Sequence, residues 1–300
     1  MHGLGRARPA EATRRLFQPT KNQSRFLLKR FHPATSPSDA VPCSAGTGPA
    51  PFVATLLMSG SHPVLSDPLG RALLDYHHGQ LDATLTVFSN VAEEEPLPAS
   101  YFFRSLGEMP DLERVALEEC RGRVLDLGGG AGCHTLELQS RGFQVKSIDV
   151  SEGAVRVMQA RGVHEVAHHN IFDLVPEPGK YDTLLMLMNG LGLVGTLAGL
   201  ERFLSYARTL LAPGGQILAT SSDISYLYQD EDGALVFDLN AAYYGEVEYT
   251  MRYGEQTGPL FHWLFADGSL VQDYAEEAGY AVEFLGEDQQ QYLVRLTLNG

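Results

Sequence analysis

The clearest pattern of apolar and polar positions lies between residues 123 and 150. Val124 to Leu127 is a short apolar run of strand-forming residues, and a glycine cluster ends it abruptly. A helical segment follows from about Cys133 to Arg141, and a second apolar run, Phe143 to Ile148, ends on an aspartate. This order of strand, glycine turn, helix and strand predicts a βαβ unit whose loop lets a ligand approach the backbone closely.

Helices and strands continue to alternate after this unit. The continuous apolar run YDTLLMLM at residues 181–188 predicts a strand that is buried on both faces. After it, Thr196 is expected to cap a helix that carries its apolar residues on one stripe. The other elements predicted here are a helix from Ser151 to about Arg161, a weak strand from Val163 to Ala167, a strand from Gln216 to Thr220, a helix from Asp267 to Gly279, and a closing strand pair, Ala281 to Leu285 and Gln291 to Leu298.

Two further regions carry their own patterns. Before the βαβ unit, Leu69 to His78 predicts a short helix and the alternation from Leu81 to Val87 predicts a half-buried strand. We therefore expect residues 58–110 to form an N-terminal cap. After strand Gln216 to Thr220, an acidic insertion at about 224–266 contains a predicted β-hairpin, in which residues 246–253 pair with residues 260–265.

The first 57 residues differ from the rest in composition and charge. Of the chain's 22 basic and 37 acidic residues, eight basic and two acidic ones lie here, together with seven of its 16 prolines. Because apolar periodicity is low, residues 1–57 are predicted to be a disordered basic tail. They weakly resemble an organelle transit peptide, and a tail outside the fold is the favoured alternative. The remaining chain is strongly acidic, which disfavours a nucleic-acid substrate because acidic surfaces repel phosphate.

The cysteines and the lengths of the apolar runs bear on location. Cys43, Cys120 and Cys133 are scattered, with no metal-ligand spacing and no disulfide framework. No apolar run approaches the ~20 residues that a membrane-spanning helix needs. These features favour a reducing, cytoplasmic location, no membrane span and no bound metal.

The glycine loop could hold three kinds of ligand. A phosphate-binding P-loop ends in Gly-Lys-Ser/Thr, and the loop has no lysine. The dinucleotide pattern Gly-x-Gly-x-x-Gly fails because its third glycine position, counted from Gly128, falls on Cys133. The pattern acid-x-Gly-x-Gly-x-Gly is matched fully by Asp126, Gly128, Gly130 and Gly132.

Further landmarks of one family follow this motif in order. From about residue 111 to residue 300, the chain resembles a class I S-adenosylmethionine-dependent methyltransferase: Asp149 ends the second strand, and a Leu-x-Pro-Gly-Gly turn precedes the fifth. The resemblance implies an α/β fold with a doubly wound, seven-stranded, mostly parallel sheet. Residues 111–300 would be the domain that binds S-adenosylmethionine, preceded by the small cap and interrupted by the hairpin insertion after strand five.

The resemblance also assigns roles to single residues. The three motif glycines would let the backbone lie against the methionine and ribose parts of the cofactor. Asp126 would orient its ammonium end, directly or through water, and Asp149 would accept hydrogen bonds from both ribose hydroxyls. Three further positions match cofactor-binding loops: Asn170 and Ile171 beside the adenine, with Asp173 competing for that role, and Asn189 beside the transferred methyl group.

The loop after strand four narrows the substrate class. It reads Asn-Gly-Leu-Gly at residues 189–192, without the Pro-Pro-aromatic of adenine-specific DNA methyltransferases, so base methylation is disfavoured. We expect transfer to an O, N, S or C nucleophile of a small molecule, mainly by positioning and desolvation. A general base would be optional, and Asp223, His262 and Tyr244 are the candidates.

Two alternatives stay open. One is a methyltransferase that acts on protein or RNA, against which the acidic body argues. The other is a sensor or scaffold that binds S-adenosylmethionine without catalysis. The expected partners are a small-molecule substrate, no nucleic acid and no membrane, with the chain acting as a monomer or homodimer.

Overall fold

A computed structural model describes residues 66–174, 180–229 and 242–299. The predicted basic tail and the first residues of the predicted cap lie outside these ranges. The described helices are α1 (Pro68–His77), α2 (Asp111–Glu119), α3 (Cys133–Ser140), α4 (Glu152–Ala160), α5 (Leu197–Leu210) and α6 (Gly268–Glu277). None of these helices in the described ranges is long and apolar enough to cross a membrane.

The described strands form two sheets. In chain order they are β1 (Thr84–Ser89), β2 (Glu95–Pro98), β3 (Val124–Leu127), β4 (Val145–Asp149), β5 (Glu165–His168), β6 (Tyr181–Met186), β7 (Leu211–Ser222), β8 (Glu246–Tyr253), β9 (Gln256–Thr257), β10 (Phe261–Leu264), β11 (Tyr280–Asp288) and β12 (Gln291–Leu298).

The larger sheet has seven strands in the order β11-β12-β7-β6-β3-β4-β5. The strands from β7 to β5 are parallel, and β12 pairs antiparallel with both β7 and β11. Alternate residues of the central strands face opposite helical layers: Leu184 packs in the cluster that contains α5, and Leu185 in the cluster that contains α2. The predicted doubly wound, seven-stranded α/β fold is thereby confirmed.

The smaller sheet joins two regions that lie far apart in the sequence. Its order is β10-β8-β1-β2, with β9 paired to β8, and all of its pairs are antiparallel. Strands β1 and β2 come from the predicted cap, whereas β8 to β10 come from the predicted insertion. The cap and the insertion therefore build one sheet, in which Ser89 stands opposite Tyr249.

Helix α1 of the cap is anchored directly on α4. The Asp67 carboxylate caps α1 by accepting from the Gly70 backbone N–H, and it also accepts from Ser151 Oγ and the Gly153 N–H at 2.8 and 3.1 Å. At the contact, a Cβ on Gly153 would lie 2.4 Å from the Gly70 Cα. Only glycine permits this approach, so the N-terminus of α4, next to Asp149, is held by the cap.

Candidate functional site

The glycine loop joins β3 to α3 and is fastened to the end of β4. Gly128, Gly130 and Gly132 have φ values of +80°, +55° and +81°, which side-chain-bearing residues rarely adopt. The Gly128 and Gly129 N–H groups donate to the Ile148 carbonyl at 2.9 and 3.1 Å. The loop is therefore a fixed backbone surface at the carboxyl edge of the sheet, where ligands bind in such folds.

Two apolar side chains face this loop. A Cβ on Gly128 would lie 2.8 Å from Leu193 Cδ1, and a Cβ on Gly130 would lie 3.0 Å from Phe102 Cδ1. Leu193 comes from the loop after β6 and Phe102 from the cap. Neither residue was predicted from the sequence to lie at the loop. For Phe102, the only local feature of the sequence that could have indicated it is the aromatic run at residues 101–103. The glycine loop is therefore bounded by apolar side chains from outside the β3–α3 unit.

Asp149 ends β4 beside the loop and is 7% exposed. Its Oδ2 accepts from the Gly130 N–H at 2.9 Å and its Oδ1 from the Ser151 N–H at 2.8 Å. Burial raises the pKa of this carboxyl, and the two backbone hydrogen bonds oppose that shift. A carboxylate offers about four acceptor positions, so two remain for hydroxyl donors. The next residue, Val150, is 59% exposed and presents an apolar surface at the same strand end.

Asp126 lies inside β3 and is only 2% exposed. Its Oδ2 accepts hydrogen bonds from Thr135 Oγ1 and, at 3.5 Å, from Ser147 Oγ. Burial raises the pKa of this carboxyl. Its contacts thus lie beneath the first turn of α3, whereas those of Asp149 lie at the glycine loop.

The loop after β5 contains the two residues predicted beside the adenine. Asn170 is exposed, and its side-chain oxygen accepts from the Phe172 N–H at 3.0 Å, so it forms a local turn of its own. Ile171 is buried in the core cluster next to it. The exposed Asp173 donates its N–H to the Asn170 carbonyl, so all three residues belong to one turn.

The loop after β6 begins with two consecutive residues in the left-handed region. Met188 and Asn189 have φ values of +60° and +56°. The predicted strand at 181–188 is wrong at this end, because β6 stops at Met186 and the backbone then turns. Asn189 Oδ1 accepts from Ser222 Oγ and Gln291 Nε2 at 2.8 and 3.1 Å. These hydrogen bonds stabilise a strained turn at the sheet edge, a feature common at functional sites.

Asp223 and Tyr244, two of the three predicted catalytic candidates, contact each other. The Tyr244 hydroxyl donates to Asp223 Oδ1 at 2.9 Å, and the Ser225 N–H donates to the same oxygen at 2.8 Å. Both side chains are half-buried. Asp223 follows Ser222, which contacts Asn189, so the pair lies next to the strained loop.

His262, the third candidate, lies on the opposite face of β10 from the neighbouring Trp263. It stands opposite Glu248 in the sheet and is exposed to solvent. Trp263 instead packs on the loop after β6, where a Cβ on Gly192 would lie 1.9 Å from the indole Nε1. The indole of Trp263 therefore packs on the loop itself, whereas His262 is exposed and approaches only the end of the loop, where a Cβ on Gly195 would lie 3.5 Å from the His262 Cβ. Among the described residues, no group of three or more His, Cys, Asp or Glu side chains could hold a metal ion.

Comparisons with known proteins agree with this geometry. The sequence pattern of the methyltransferase domain family matches residues 124–215, from β3 to the turn within β7. The solved structure of a SAM-dependent methyltransferase from Bacteroides fragilis, in complex with S-adenosyl-L-homocysteine, is 40% identical. The alignment covers 80% of this chain and 98% of that one, with a TM-score of 0.73.

A second solved structure, the PH0226 protein from Pyrococcus horikoshii OT3, is more distant. It is 17% identical, and the alignment covers 63% of this chain and 88% of that one with a TM-score of 0.48. No curated protein sequence matches the chain.

Proposed function

The chain belongs to the S-adenosylmethionine-dependent methyltransferases, and we propose that its methyl acceptor is a small molecule. The observation that carries the proposal is the position of the N-terminal cap and of the smaller sheet. Phe102 of the cap packs on the glycine loop, and Trp263 of β10 packs on the loop after β6. Side chains from outside the seven-stranded sheet thus bound both loops at its carboxyl edge, which suits a small acceptor better than an extended polymer.

The cofactor-binding residues follow from the contacts at this edge. Gly128, Gly130 and Gly132 would present their backbone to the methionine and ribose parts of S-adenosylmethionine. Asp149 would accept hydrogen bonds from the ribose hydroxyls with its two remaining acceptor positions. Val150 would lie against the adenine.

The role predicted for Asp126 changes, whereas the roles predicted beside the adenine do not. Asn170 and Ile171 remain the residues proposed beside the adenine, with the Asn170 oxygen accepting a second hydrogen bond. Asp126 would act by holding Thr135 at the start of α3, because its buried carboxylate has its contacts there. The glycine loop would then be kept in position from below, and no direct contact with the cofactor is required.

Bound S-adenosylmethionine supplies a methyl group on a sulfonium, which is already a good leaving group. The protein's own contribution would be to position the acceptor, exclude water and receive a proton. Asn189, fixed by Ser222 and Gln291, would shape the space beside the methyl group. Asp223 with Tyr244 would meet the acceptor, in preference to the solvent-exposed His262.

Calorimetric titration with S-adenosylhomocysteine tests the cofactor site. We expect the wild type to bind one equivalent and Asp149→Ala to bind at least about tenfold more weakly, since each hydrogen bond to a charged group contributes about 1.5–3 kcal/mol. The matched control is Asp82→Ala, which removes an exposed aspartate of the cap. Equal binding by Asp149→Ala and wild type would contradict the assignment of Asp149.

Transfer of labelled methyl groups tests the substrate class. The full chain is incubated with labelled S-adenosylmethionine and a cell extract divided into small-molecule, protein and RNA fractions. Label in the small-molecule fraction supports the proposal. Label only in protein or RNA contradicts it, and cofactor binding without label in any fraction favours a non-catalytic sensor.

A further inference from the structure

Within the part of the chain that the structure describes, the protein donates hydrogen bonds to only one carboxylate oxygen of Asp223. Its Oδ1 accepts from the Tyr244 hydroxyl and the Ser225 N–H. Among the described residues, none donates a hydrogen bond to Oδ2. Asp223 directly follows Ser222, whose hydroxyl contacts Asn189, so its backbone lies next to the acceptor side of the proposed site. A ligand donor at this position would meet a fixed, half-buried negative charge.

The tyrosine whose hydroxyl contacts this carboxylate packs against two further tyrosine rings. The Tyr244 ring lies 4.4 Å from the Tyr243 ring and 5.8 Å from the Tyr228 ring, between centroids. The Tyr243 hydroxyl in turn donates to Asp267 Oδ2 at 2.8 Å. Burial and the neighbouring carboxylates raise the pKa of both Tyr243 and Tyr244, so these rings stay neutral and present π faces.

A second carboxylate reaches the same region from the smaller sheet. Glu95 stands opposite Val87 on β1, on the face of the sheet that also carries Tyr249. Burial, with the charges of Glu95 and Asp223, raises the pKa of Tyr226 to about 12. Burial and Glu95 likewise raise the pKa of Tyr249 to about 12. The charge of Glu95, on β2, thus raises the pKa of both Tyr226 and Tyr249, and the charge of Asp223, which follows β7, also raises that of Tyr226.

The sequence around this group contains no balancing base. From Arg208 to Arg252 the sequence has no intervening lysine, arginine or histidine, and the acidic residues in the described part of this segment are Asp223, Glu246 and Glu248. Neutral aromatic faces beside carboxylates attract organic cations, and carboxylates repel carboxylate or phosphate ligands.

We propose that the methyl acceptor is an aliphatic amine, which Asp223 binds as its ammonium form against the neighbouring tyrosine rings. This inference rests on the proposed small-molecule methyl transfer and names its substrate class. The R–NH3+ group gives one proton to Asp223 Oδ2, which releases it to solvent. The freed nitrogen lone pair forms the N–C bond to the methyl group, the C–S bond breaks with its electron pair left on sulfur, and the product is R–NH2–CH3+.

Fractionation of the acceptors by charge tests the amine. Small metabolites from the source organism are separated on a cation exchanger at neutral pH and incubated with the full chain and S-adenosylmethionine carrying a labelled methyl group. We expect the label in the retained, cationic fraction, and fragmentation in the mass spectrometer to place it on nitrogen. Label only on anionic or neutral metabolites, or on oxygen, sulfur or carbon, would overturn the amine while leaving small-molecule methyl transfer intact. Absence of label from every small-molecule fraction would overturn the proposed function itself, and the amine with it.

Variants test the role of Asp223 in binding as well as in turnover. With the acceptor found above, Asp223→Asn should lower kcat/KM about 10- to 100-fold, because a charge-assisted hydrogen bond is lost. In ultrafiltration with S-adenosylhomocysteine, which cannot react, less of the amine should be retained by Asp223→Asn than by wild type. The control is Asp273→Asn, which removes an equal charge from an exposed position of α6 and should behave as wild type. If Asp223→Asn retains and methylates the amine as the control does, the assignment of Asp223 is wrong.

Discussion

The Glu113 carboxylate accepts a hydrogen bond from His134 Nε2 at 2.8 Å, and both side chains are buried. Arg104 donates to the same carboxylate at 2.9 and 3.0 Å. The three residues connect α2, the first turn of α3 and the segment that follows Phe102. Because α3 begins at the glycine loop and Phe102 packs on that loop, this buried cluster positions both sides of the cofactor site.

We expect Glu113→Gln to destabilise the fold strongly. It would leave the Arg104 guanidinium buried without its carboxylate, and breaking a buried ion pair in this way costs about 3–5 kcal/mol of unfolding free energy. The control is Glu152→Gln, which disrupts only the exposed pair with Arg156 and should change the stability by less than about 0.5 kcal/mol. Urea-induced unfolding measures both, and equal effects of the two substitutions would contradict the buried-cluster interpretation.

The same cluster predicts a pH dependence of stability. Burial disfavours the charged form of His134, but Cys133 and Glu113 outweigh it and raise the His134 pKa well above the usual value of 6.5. This contribution to stability is complete below the unfolded-state pKa near 6.5 and is lost as the pH rises through the folded-state pKa. Between the two values the unfolding free energy should fall by up to about 1.4 kcal/mol per pH unit.

The Glu113 carboxyl acts at the acid end. Burial alone would raise its pKa, but hydrogen bonds and charges from His134 and Arg104 outweigh this and lower it. Its contribution is present above the unfolded value near 4.5 and is lost as the pH falls through the lowered one. The His134 prediction is measured by urea unfolding between about pH 6 and 9. Wild type should lose unfolding free energy as the pH rises through the His134 pKa, and His134→Gln should not show this loss. A loss of the same slope in both proteins would assign it to other groups.

Gly153→Ala should destabilise the chain although alanine is the better helix former. The new Cβ would lie 2.4 Å from Gly70 Cα and would push α1 away from α4, which costs about 1–3 kcal/mol. At an open helix position the same change would stabilise by up to about 1 kcal/mol. Gly107→Ala, where a Cβ meets nothing within 4 Å, is the control and should have little effect. Thermal unfolding decides, and a Gly153→Ala protein as stable as wild type would refute the close helix contact.

The sequence predicted the central sheet well because burial alone fixes the pattern there. Strand β3 has the predicted bounds, Val124–Leu127, and Thr196 caps α5 as expected. Both depend on local features, an apolar run and a side-chain oxygen that accepts from Gly199 N–H. The predicted end of the first closing strand at Leu285 is wrong: β11 continues to Asp288, with a bulge between Phe284 and Gly286.

Strand β2 and its partners were not predictable in the same way. Pro96 and Pro98 argue against a strand, and they are tolerated because β2 is an edge strand. The acidic run from Glu93 to Glu95 is typical of a solvated turn in the sequence, but Glu95 is half-buried, and burial raises its pKa. The pairing of β1 with β8 depends on the tertiary fold, since no local signal shows which distant strand will complete a sheet.

The residues on the acceptor side of the site were also not predictable from local sequence. The sequence predicted a hairpin with His262 and Trp263 as neighbours but could not show which of them faces the loop after β6. Strand alternation puts the two side chains on opposite faces of β10, and the tertiary fold packs the Trp263 indole against Gly192 of the loop while His262 stays exposed. The motif did predict where Asp126 and Asp149 stand, inside β3 and at the end of β4, but it could not show that the Asp126 carboxylate is buried against Thr135.

Gly192→Ala should impair methyl transfer more than cofactor binding. A Cβ at this position would lie 1.9 Å from Trp263 Nε1, so the indole or the loop must move. A displacement of about 1 Å near the reacting groups can lower the rate about 100-fold. S-adenosylhomocysteine affinity should change far less, because the glycine loop and Asp149 are unaltered.

The double variant Gly192→Ala/Trp263→Leu removes the clash and should recover part of the activity. Calorimetry and steady-state kinetics separate the two effects, and an equal loss of cofactor binding and turnover in Gly192→Ala would contradict the acceptor-side placement of Trp263.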